Sequence, residues 1–166
     1  MDEQVSGVSL KQVFTQPDWF VATGFGAGLA PFAPGTFGSL VGILLWLGLL
    51  HFPAYLYIST VTGIFFLGIH FSDRVAKKLG EKDPSCIVID EIAGMLVALF
   101  LVPQVWYWVL VAFLLFRLLD IIKPWPVSYF DRNVKGGAGV MLDDLTAGMI
   151  AFVLLQGGIW MLNRLS

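Results

Sequence analysis

IAGMLVALFLVPQVWYWVLVAFLLF, residues 92–116, is the part of the sequence that most constrains the structure of this chain. It contains no Asp, Glu, Lys or Arg, and the same is true of residues 36–71. Apolar runs longer than about 18 residues are typical of membrane spans. Only 13% of the 166 residues are charged, whereas a soluble domain carries about 25%. The sequence therefore predicts an integral membrane protein.

Five transmembrane helices are expected to form an all-α, polytopic membrane helix bundle. Their predicted bounds are 36–52, 55–71, 86–102, 105–122 and 143–162. Residues 17–35 are apolar but rich in Gly and Pro, so we expect a re-entrant or interfacial segment there. Residues 1–16 are polar and lack the apolar core of a signal peptide. They predict a tail or short surface helix, followed by a membrane-embedded domain over 17–166.

The charged residues lie mainly in two predicted loops, 72–85 and 123–142. These loops hold seven of the ten Lys and Arg residues. Short turns join the other pairs of neighbouring helices, so alternating spans put both charged loops on one face of the membrane. Basic loops stay on the cytoplasmic side, and that face is therefore predicted to be cytoplasmic.

Carboxylates gather at the same predicted ends of the helices. Acids at helix N-termini are often caps, which explains those that open the third and fifth helices. Capping does not explain Asp120, because it closes the fourth helix, and charges retained at membrane level usually mark function. Six acids share this level: Asp73, Asp90, Glu91, Asp120, Asp143 and Asp144.

Two segments, DEIAGM (90–95) and DLTAGM (144–149), repeat one spacing. On a helix, each Asp shares a face with the Gly four residues later, and small residues let membrane helices approach closely. If these faces pack together, Asp90 and Asp144 come side by side and require a cation between them. The alternatives are plain small-residue packing with incidental caps, or a homo-oligomer contact through the same faces.

Oxygen ligands favour Mg²⁺ or Mn²⁺ at such a site. The two histidines, His51 and His70, and the single cysteine, Cys86, offer no zinc cluster. We expect His70 to be packed or interfacial rather than a ligand, and Cys86 to be inert packing.

Basic residues near the acids predict a phosphate site. Arg117 can bind two phosphoryl oxygens at once, with Lys123 beside it, although an ion pair with Asp120 is an alternative for Arg117. Gly35 and Thr36 stand at the start of a helix, where backbone N–H groups can face an anion. The glycine-rich segment 135–144 is expected to be a flexible loop, either a lid over the site or a connection.

Three motifs resemble the phosphatidylglycerophosphatase A family. They are GFGAGLAPFAPGTFGSL (24–40), IDEIAGM (89–95) and FRLLDIIKPWPVSYFDRNVKGGAGVMLDDLTAG (116–148). The resemblance runs from about Trp19 to the end of the chain. It implies Mg²⁺-dependent hydrolysis of the terminal phosphate of the phospholipid phosphatidylglycerophosphate, giving phosphatidylglycerol. It further implies a multi-pass protein of the bacterial inner membrane, in contact with membrane lipids and with its site facing the cytoplasm.

With this resemblance, the residues acquire hypothetical roles. One or two Mg²⁺ ions would be held by Asp90, Glu91, Asp143 and Asp144, and water would attack phosphorus in line. The phosphate would be bound by Arg117, Lys123, Gly35 and Thr36. Asp120 would orient Arg117, bind metal or act as a general base. A phospho-aspartate intermediate stays open as an alternative to direct attack by water.

Other functions fit the sequence less well. A CDP-alcohol phosphotransferase also gathers aspartates around metal, but its D-x-x-D-G motif with a downstream D-x-x-x-D is missing. A small ion transporter would place its acids near mid-membrane or on both faces, and a structural scaffold needs no acidic cluster. Nucleic-acid binding is excluded because the basic residues form no patch interleaved with aromatic residues.

Overall fold

The computed structural model describes residues 4, 5 and 8–165. Most of this part of the chain is helical, which confirms the all-α prediction. Strands within it are limited to one hairpin of β1 (Gln4–Val5) and β2 (Val8–Ser9). The α-helices are α1 (Leu10–Thr15), α2 (Pro17–Ala22), α3 (Pro34–Leu49), α4 (Ala54–Leu79), α5 (Ile89–Ala98), α6 (Trp106–Ile122), α7 (Val127–Asn133) and α8 (Gly137–Leu165), with a short 3-10 turn at Ala27–Leu29.

The N-terminal region packs onto the bundle. Of the predicted tail 1–16, residues 1–3, 6 and 7 lie outside the described residues, while Val8 and Val13 are buried in the core. The segment 17–35 contains only α2 and the 3-10 turn before α3 begins. It is tied to the chain before α5, where the Val88 N–H donates to the carbonyl of Ala22 over 2.9 Å. The division of the chain at residue 17 stays a prediction.

Two helices of the described chain, α4 and α8, are long and apolar enough to cross a membrane, and α3 is apolar but shorter. Large apolar side chains also point outward from the bundle, including Leu44, Leu114 and Val153. Extensive exposed apolar surface on a folded chain marks contact with lipid or with another protein. Together with the apolar helices, it indicates a membrane protein.

The third predicted helix, 86–102, is wrong in its length. α5 has only ten residues and is about 15 Å long. The helix is short because the chain before Ile89 is irregular and because Leu101, with φ of 57°, reverses the backbone after it. Two side chains donate hydrogen bonds to backbone carbonyl groups at the C-terminal end of α5. Tyr57 donates to the carbonyl of Leu96 over 2.6 Å, and Gln156 donates to that of Phe100 over 3.0 Å. Such partners are required where a helix ends away from water.

The two predicted charged loops are shorter than expected. α4 continues through 72–79 and ends at Gly80, whose φ is 71°, and α7 lies within 123–142. α8 begins at Gly137, so the expectation of a flexible glycine loop over 135–144 is wrong. A Cβ on Gly137 would lie 2.1 Å from the carbonyl oxygen of Ile69. That glycine therefore serves close packing of α8 on α4.

α5 is the centre of the bundle and packs against α3, α4, α6 and α8. Its contact with α8 is made through glycine. A Cβ on Gly148 would lie 2.3 Å from the carbonyl oxygen of Gly94, and one on Gly94 would lie 2.7 Å from that of Asp144. The predicted approach of the two glycine faces is thus confirmed. Asp90 and Asp144, each four residues before its glycine, also lie close to each other, so the two helices run parallel and present both acids at the same end.

Candidate active site

A cavity of about 260 Å³ opens at the end of the bundle where α3, α5 and α8 begin and α6 ends. Most of its wall is polar, in contrast to the apolar surface of the helices. It is lined by Ala33, Pro34, Gly35, Asp83, Pro84, Ser85, Ile87, Asp90, Glu91, Arg117, Asp120, Lys123, Asp143 and Asp144. The structure therefore brings together every predicted site residue except Thr36.

Three carboxylates form the centre of this cavity. Asp90, Glu91 and Asp144 each offer one oxygen, and these oxygens all lie within 4.8 Å of one another. Asp90 and Asp144 are buried, and the Glu91 side chain is 15% exposed. In the described part of the chain, Oδ1 of Asp90, Oε2 of Glu91 and Oδ2 of Asp144 are buried without a hydrogen-bond partner.

Burying three carboxylates so close together costs free energy unless they are paired, protonated or coordinated to a metal. Two of the acids come from the first turn of α5, where the helix dipole favours an anion. Asp144 lies in the second turn of α8, so capping does not explain it. The cluster could hold a metal ion, and its unpartnered oxygens are the donors that such an ion would use.

Arg117 provides a positive charge beside these acids. Its Nη1 atom lies 2.8 Å from Oδ2 of Asp120 and 3.8 Å from Oε1 of Glu91. The Arg117–Asp120 ion pair weighed from the sequence is therefore present. It does not exclude binding of phosphate, because the Nε atom of Arg117 is buried with no hydrogen-bond partner in the described residues and the side chain lines the cavity.

Lys123 provides the second positive charge. It ends α6 with φ of 48°, a strained conformation that is common at functional sites. Its Nζ atom lies 3.0 Å from Oδ1 of Asp131 and also contacts Oδ2 of Asp143. Burial alone would lower the pKa of Lys123, but Asp143 and Asp131 outweigh it and raise the pKa. The ammonium group therefore stays charged, and Asp143 is its partner rather than a member of the three-acid cluster.

Gly35 lets α3 approach the cluster. A Cβ at this position would lie 2.1 Å from Oε1 of Glu91 and 3.0 Å from Nη1 of Arg117. Thr36 is not among the residues lining the cavity, and its backbone N–H already donates to the carbonyl of Ala33 over 2.9 Å. Of this predicted pair, Gly35 is the one that the structure places at the site.

Comparison with known proteins gives a match over a region that contains all of these residues. A family model described as "Phosphatidylglycerophosphatase A" matches residues 20–159. The chain belongs to the phosphatidylglycerophosphatase A family. No solved structure matches the chain.

Three relatives cover most of this family member. "Phosphatidylglycerophosphatase A" of Escherichia coli is 42% identical over 155 residues, 92% of this chain and 90% of that protein. "Putative phosphatidylinositol-3-phosphatase" of Bacteroides thetaiotaomicron is 41% identical over 86% of this chain and 94% of its own. "Phosphatidylglycerophosphatase A" of Haemophilus influenzae is 38% identical over 88% and 91%.

Other polar residues predicted at this level lie outside the cavity. Asp73 pairs with Lys77 within α4 and does not join the other acids. His70 is exposed and meets Phe71 edge to face, with ring centroids 5.2 Å apart. Cys86 is buried, and burial raises its pKa to about 11, which fits the packing role expected of it.

Sequence reasoning missed three residues of this candidate site. Asp83 and Ser85 line the cavity from the loop before α5, and Asp131 reaches Lys123 from α7. The available signal was an acid followed by proline, Asp83-Pro84, a short distance before Asp90. Loop residues lack the periodicity that assigns helix residues to a face, so this signal was weak.

Proposed function

We propose that this protein is a membrane-bound phosphatidylglycerophosphatase, which hydrolyses the terminal phosphate of phosphatidylglycerophosphate to give phosphatidylglycerol and inorganic phosphate. One observation carries the proposal: Asp90, Glu91 and Asp144, each with one buried oxygen that has no hydrogen-bond partner among the described residues, share a cavity with the cations of Arg117 and Lys123. The family and the names of two relatives support the choice of lipid.

Magnesium is the metal that we propose for the cluster. The donors are carboxylate oxygens, which suit a hard cation that also accepts phosphate oxygens. Asp90, Glu91 and Asp144 would hold the ion. When bound, it would polarise the phosphoryl group and make water a better nucleophile at neutral pH.

The remaining residues act on the phosphate. Arg117 would bind phosphoryl oxygens through its guanidinium group, and its ion pair with Asp120 would hold that group in place. Lys123, fixed by Asp131 and Asp143, would neutralise further charge as it develops. Water adds its oxygen to phosphorus, the bond from phosphorus to the glycerol oxygen breaks, and the proton lost by water ends on the alcohol that leaves.

Attack by a carboxylate, giving a phospho-aspartate, is the competing route. The ion pair of Asp120 favours an orienting role for this residue over that of a nucleophile. The stereochemical course at phosphorus, followed with an isotopically chiral terminal phosphate, separates the two routes. Direct attack by water inverts the configuration, and overall retention, which requires two displacements, would contradict it.

Exposed apolar side chains around the cavity support a lipid substrate. Phe32 is 69% exposed and directly precedes the cavity residue Ala33, while Trp125 is 80% exposed and follows Lys123 by two residues. Ile121, one turn from Arg117 on α6, is 71% exposed. Aromatic side chains concentrate at membrane interfaces. They would therefore hold the cavity mouth at the level of lipid headgroups. A lipid substrate would be presented to the cavity there, whereas a soluble phosphate ester would not be concentrated at that level.

For the membrane arrangement we propose five crossings, made by α3, α4, α6, α8 and the α5 segment with its following turn. The segment 17–35 would lie at the interface or re-enter. The basic residues between α4 and α5 and around α7 would place the cavity at the cytoplasmic face of a bacterial inner membrane.

A phosphatidylinositol 3-phosphate is the second candidate substrate, because a relative of 41% identity carries the name of such a phosphatase. The test is phosphate release by the purified full-length protein from each lipid, in Mg²⁺ and in excess EDTA. We expect release from phosphatidylglycerophosphate that stops in EDTA. Release only from the inositol lipid would reassign the substrate, and undiminished release in EDTA would contradict the metal.

A further inference from the structure

A second cavity, of about 500 Å³, lies between α4 and the start of α8. It shares no lining residue with the acidic cavity. Its wall consists of Phe66, Ile69, His70, Asp73, Arg74, Lys77, Lys135, Gly137 and Ala138. No step of the proposed hydrolysis uses these residues.

Polarity changes along this cavity in the direction of α4. Phe66, which is 64% exposed, and Ile69 form an apolar end. About two turns further along, Arg74 and Lys77 form a cationic end, which Lys135 joins from the chain before α8. α4 is long and apolar enough to span. In the membrane arrangement proposed above, the apolar end of the cavity would face the bilayer interior and the cationic end would lie at its boundary.

The cationic end carries an excess of positive charge. Three cations, Arg74, Lys77 and Lys135, surround one carboxylate, Asp73, which pairs with Lys77. Among the described residues, neither Arg74 nor Lys135 has an ion-pair partner. Basic pockets between membrane helices at the headgroup level bind anionic lipid headgroups. An apolar stripe beside the cations is the surface that the acyl chain of such a lipid would cover.

We propose that this cavity binds an anionic phospholipid as an accessory site, distinct from the substrate site. The phosphate of the lipid contacts Arg74 and Lys135, and one acyl chain lies along Phe66 and Ile69. Occupancy steadies the junction of α4 with the start of α8, the helix whose second turn carries Asp144. The proposal depends on the protein lying in a membrane and does not depend on the reaction proposed above.

The test uses delipidated, full-length protein in neutral detergent. Thermal unfolding is followed with added phosphatidylserine, an anionic lipid with no terminal phosphate to hydrolyse, or with zwitterionic phosphatidylethanolamine or inorganic phosphate. We expect phosphatidylserine to raise Tm by on the order of 5 °C at saturation, and the other two to have little effect. The double variant Arg74→Gln/Lys135→Gln loses this shift. The matched control Lys11→Gln/Arg132→Gln, which removes two exposed charges outside the cavity, keeps it.

Two further arms separate the sites and guard against misfolding. Arg117→Gln alters the acidic cavity and is expected to keep the full shift with phosphatidylserine. A photoreactive phosphatidylserine on wild-type protein is expected to cross-link to 66–77 or 135–138. An unchanged shift in the Arg74/Lys135 double variant, loss of the shift in Arg117→Gln, an equal shift with phosphatidylethanolamine or phosphate, or cross-links only elsewhere would each overturn the proposal.

Discussion

Gly35 lies where α3 packs against the acidic cluster. A side chain there meets Glu91 and Arg117 at distances shorter than contact allows. We expect Gly35→Ala to displace both groups and to lower kcat/KM by about tenfold or more, equivalent to about 1.4 kcal/mol of transition-state stabilisation. Phosphate release measures this, with Gly63→Ala, where a Cβ meets no atom within 4 Å, as the control. Full activity of Gly35→Ala would show that the approach of α3 does not shape the site.

Asp18 gives the fold a dependence on pH. Burial would raise its pKa, but the hydrogen bond and charge of Lys78 outweigh this and lower it below the ordinary value of 3.8. A lowered folded-state pKa stabilises the fold above the unfolded-state value, and the stabilisation is lost as pH falls through the folded-state pKa.

We therefore expect Asp18→Asn to lower Tm at about pH 6, through loss of at most about 1 kcal/mol, and to differ less from wild type at about pH 3. Lys78→Gln, which removes the other half of the pair, should behave in the same way. If the Tm difference between Asp18→Asn and wild type were as large at about pH 3 as at about pH 6, the ion pair would not be what stabilises the fold.

Residue types were predicted better from the sequence than residue partners were. Asp90 and Asp144 were expected together because both helices repeat the spacing from Asp to Gly. Glu91 and Asp143 were expected to join them as metal ligands, but the three-acid cluster contains only Glu91 of these two. The pairing of Asp143 with Lys123 was not expected, because it depends on the left-handed turn at the end of α6. Asp83 was missed because it lies in a loop, where the spacing of residues in the sequence does not indicate which way each side chain points.

Helix packing in this bundle depends on the glycine contact between α5 and α8. A Cβ at Gly148 would meet the backbone of Gly94, so the helices themselves would have to separate. Overpacking of this kind usually costs about 1–3 kcal/mol. We expect Gly148→Ala to lower Tm, measured by thermal unfolding in detergent.

Gly157 offers a matched control on the same helix. A Cβ there meets nothing within 4 Å, so Gly157→Ala should gain helix propensity, up to about 1 kcal/mol, and leave Tm unchanged or higher. Equal effects of the two substitutions would contradict close packing at Gly148.

Helix ends were the least predictable feature at this scale. Hydropathy suggested 86–102 for the third helix, because the irregular residues on both sides of α5 are as apolar as the helix itself. It also concealed the early start of α8, since the glycines of 135–139 resemble a flexible loop until their contact with α4 is known. Both errors have the same cause. Where a helix begins and ends here depends on contacts and hydrogen bonds with neighbouring helices, which the local sequence does not reveal.

For the whole molecule, the absence of charge over 36–71 and 92–116 was sufficient to predict an all-α membrane protein.

The orientation proposed from the basic loops can be tested by labelling introduced cysteines. The native Cys86 should not react, since this thiol is buried and its pKa is raised to about 11. We expect Arg132→Cys in α7 to react with a membrane-impermeant maleimide only after cells are opened. Gln104→Cys, at the other end of the bundle, should react in intact spheroplasts. The reverse pattern would invert the topology.

The central claim is that the buried cluster of Asp90, Glu91 and Asp144 performs the hydrolysis. Its most direct test is phosphate release from phosphatidylglycerophosphate in Mg²⁺ by wild type, Asp90→Asn and Asp144→Asn, with the exposed acid variant Glu81→Gln as control. The account predicts losses on the order of 100-fold or more in both Asp variants, because each removes a ligand of the proposed metal ion and with it the charge stabilisation that the ion would supply at the reacting phosphate. It predicts an unchanged rate in Glu81→Gln. Folded Asp90→Asn and Asp144→Asn proteins that release phosphate at the wild-type rate would contradict it.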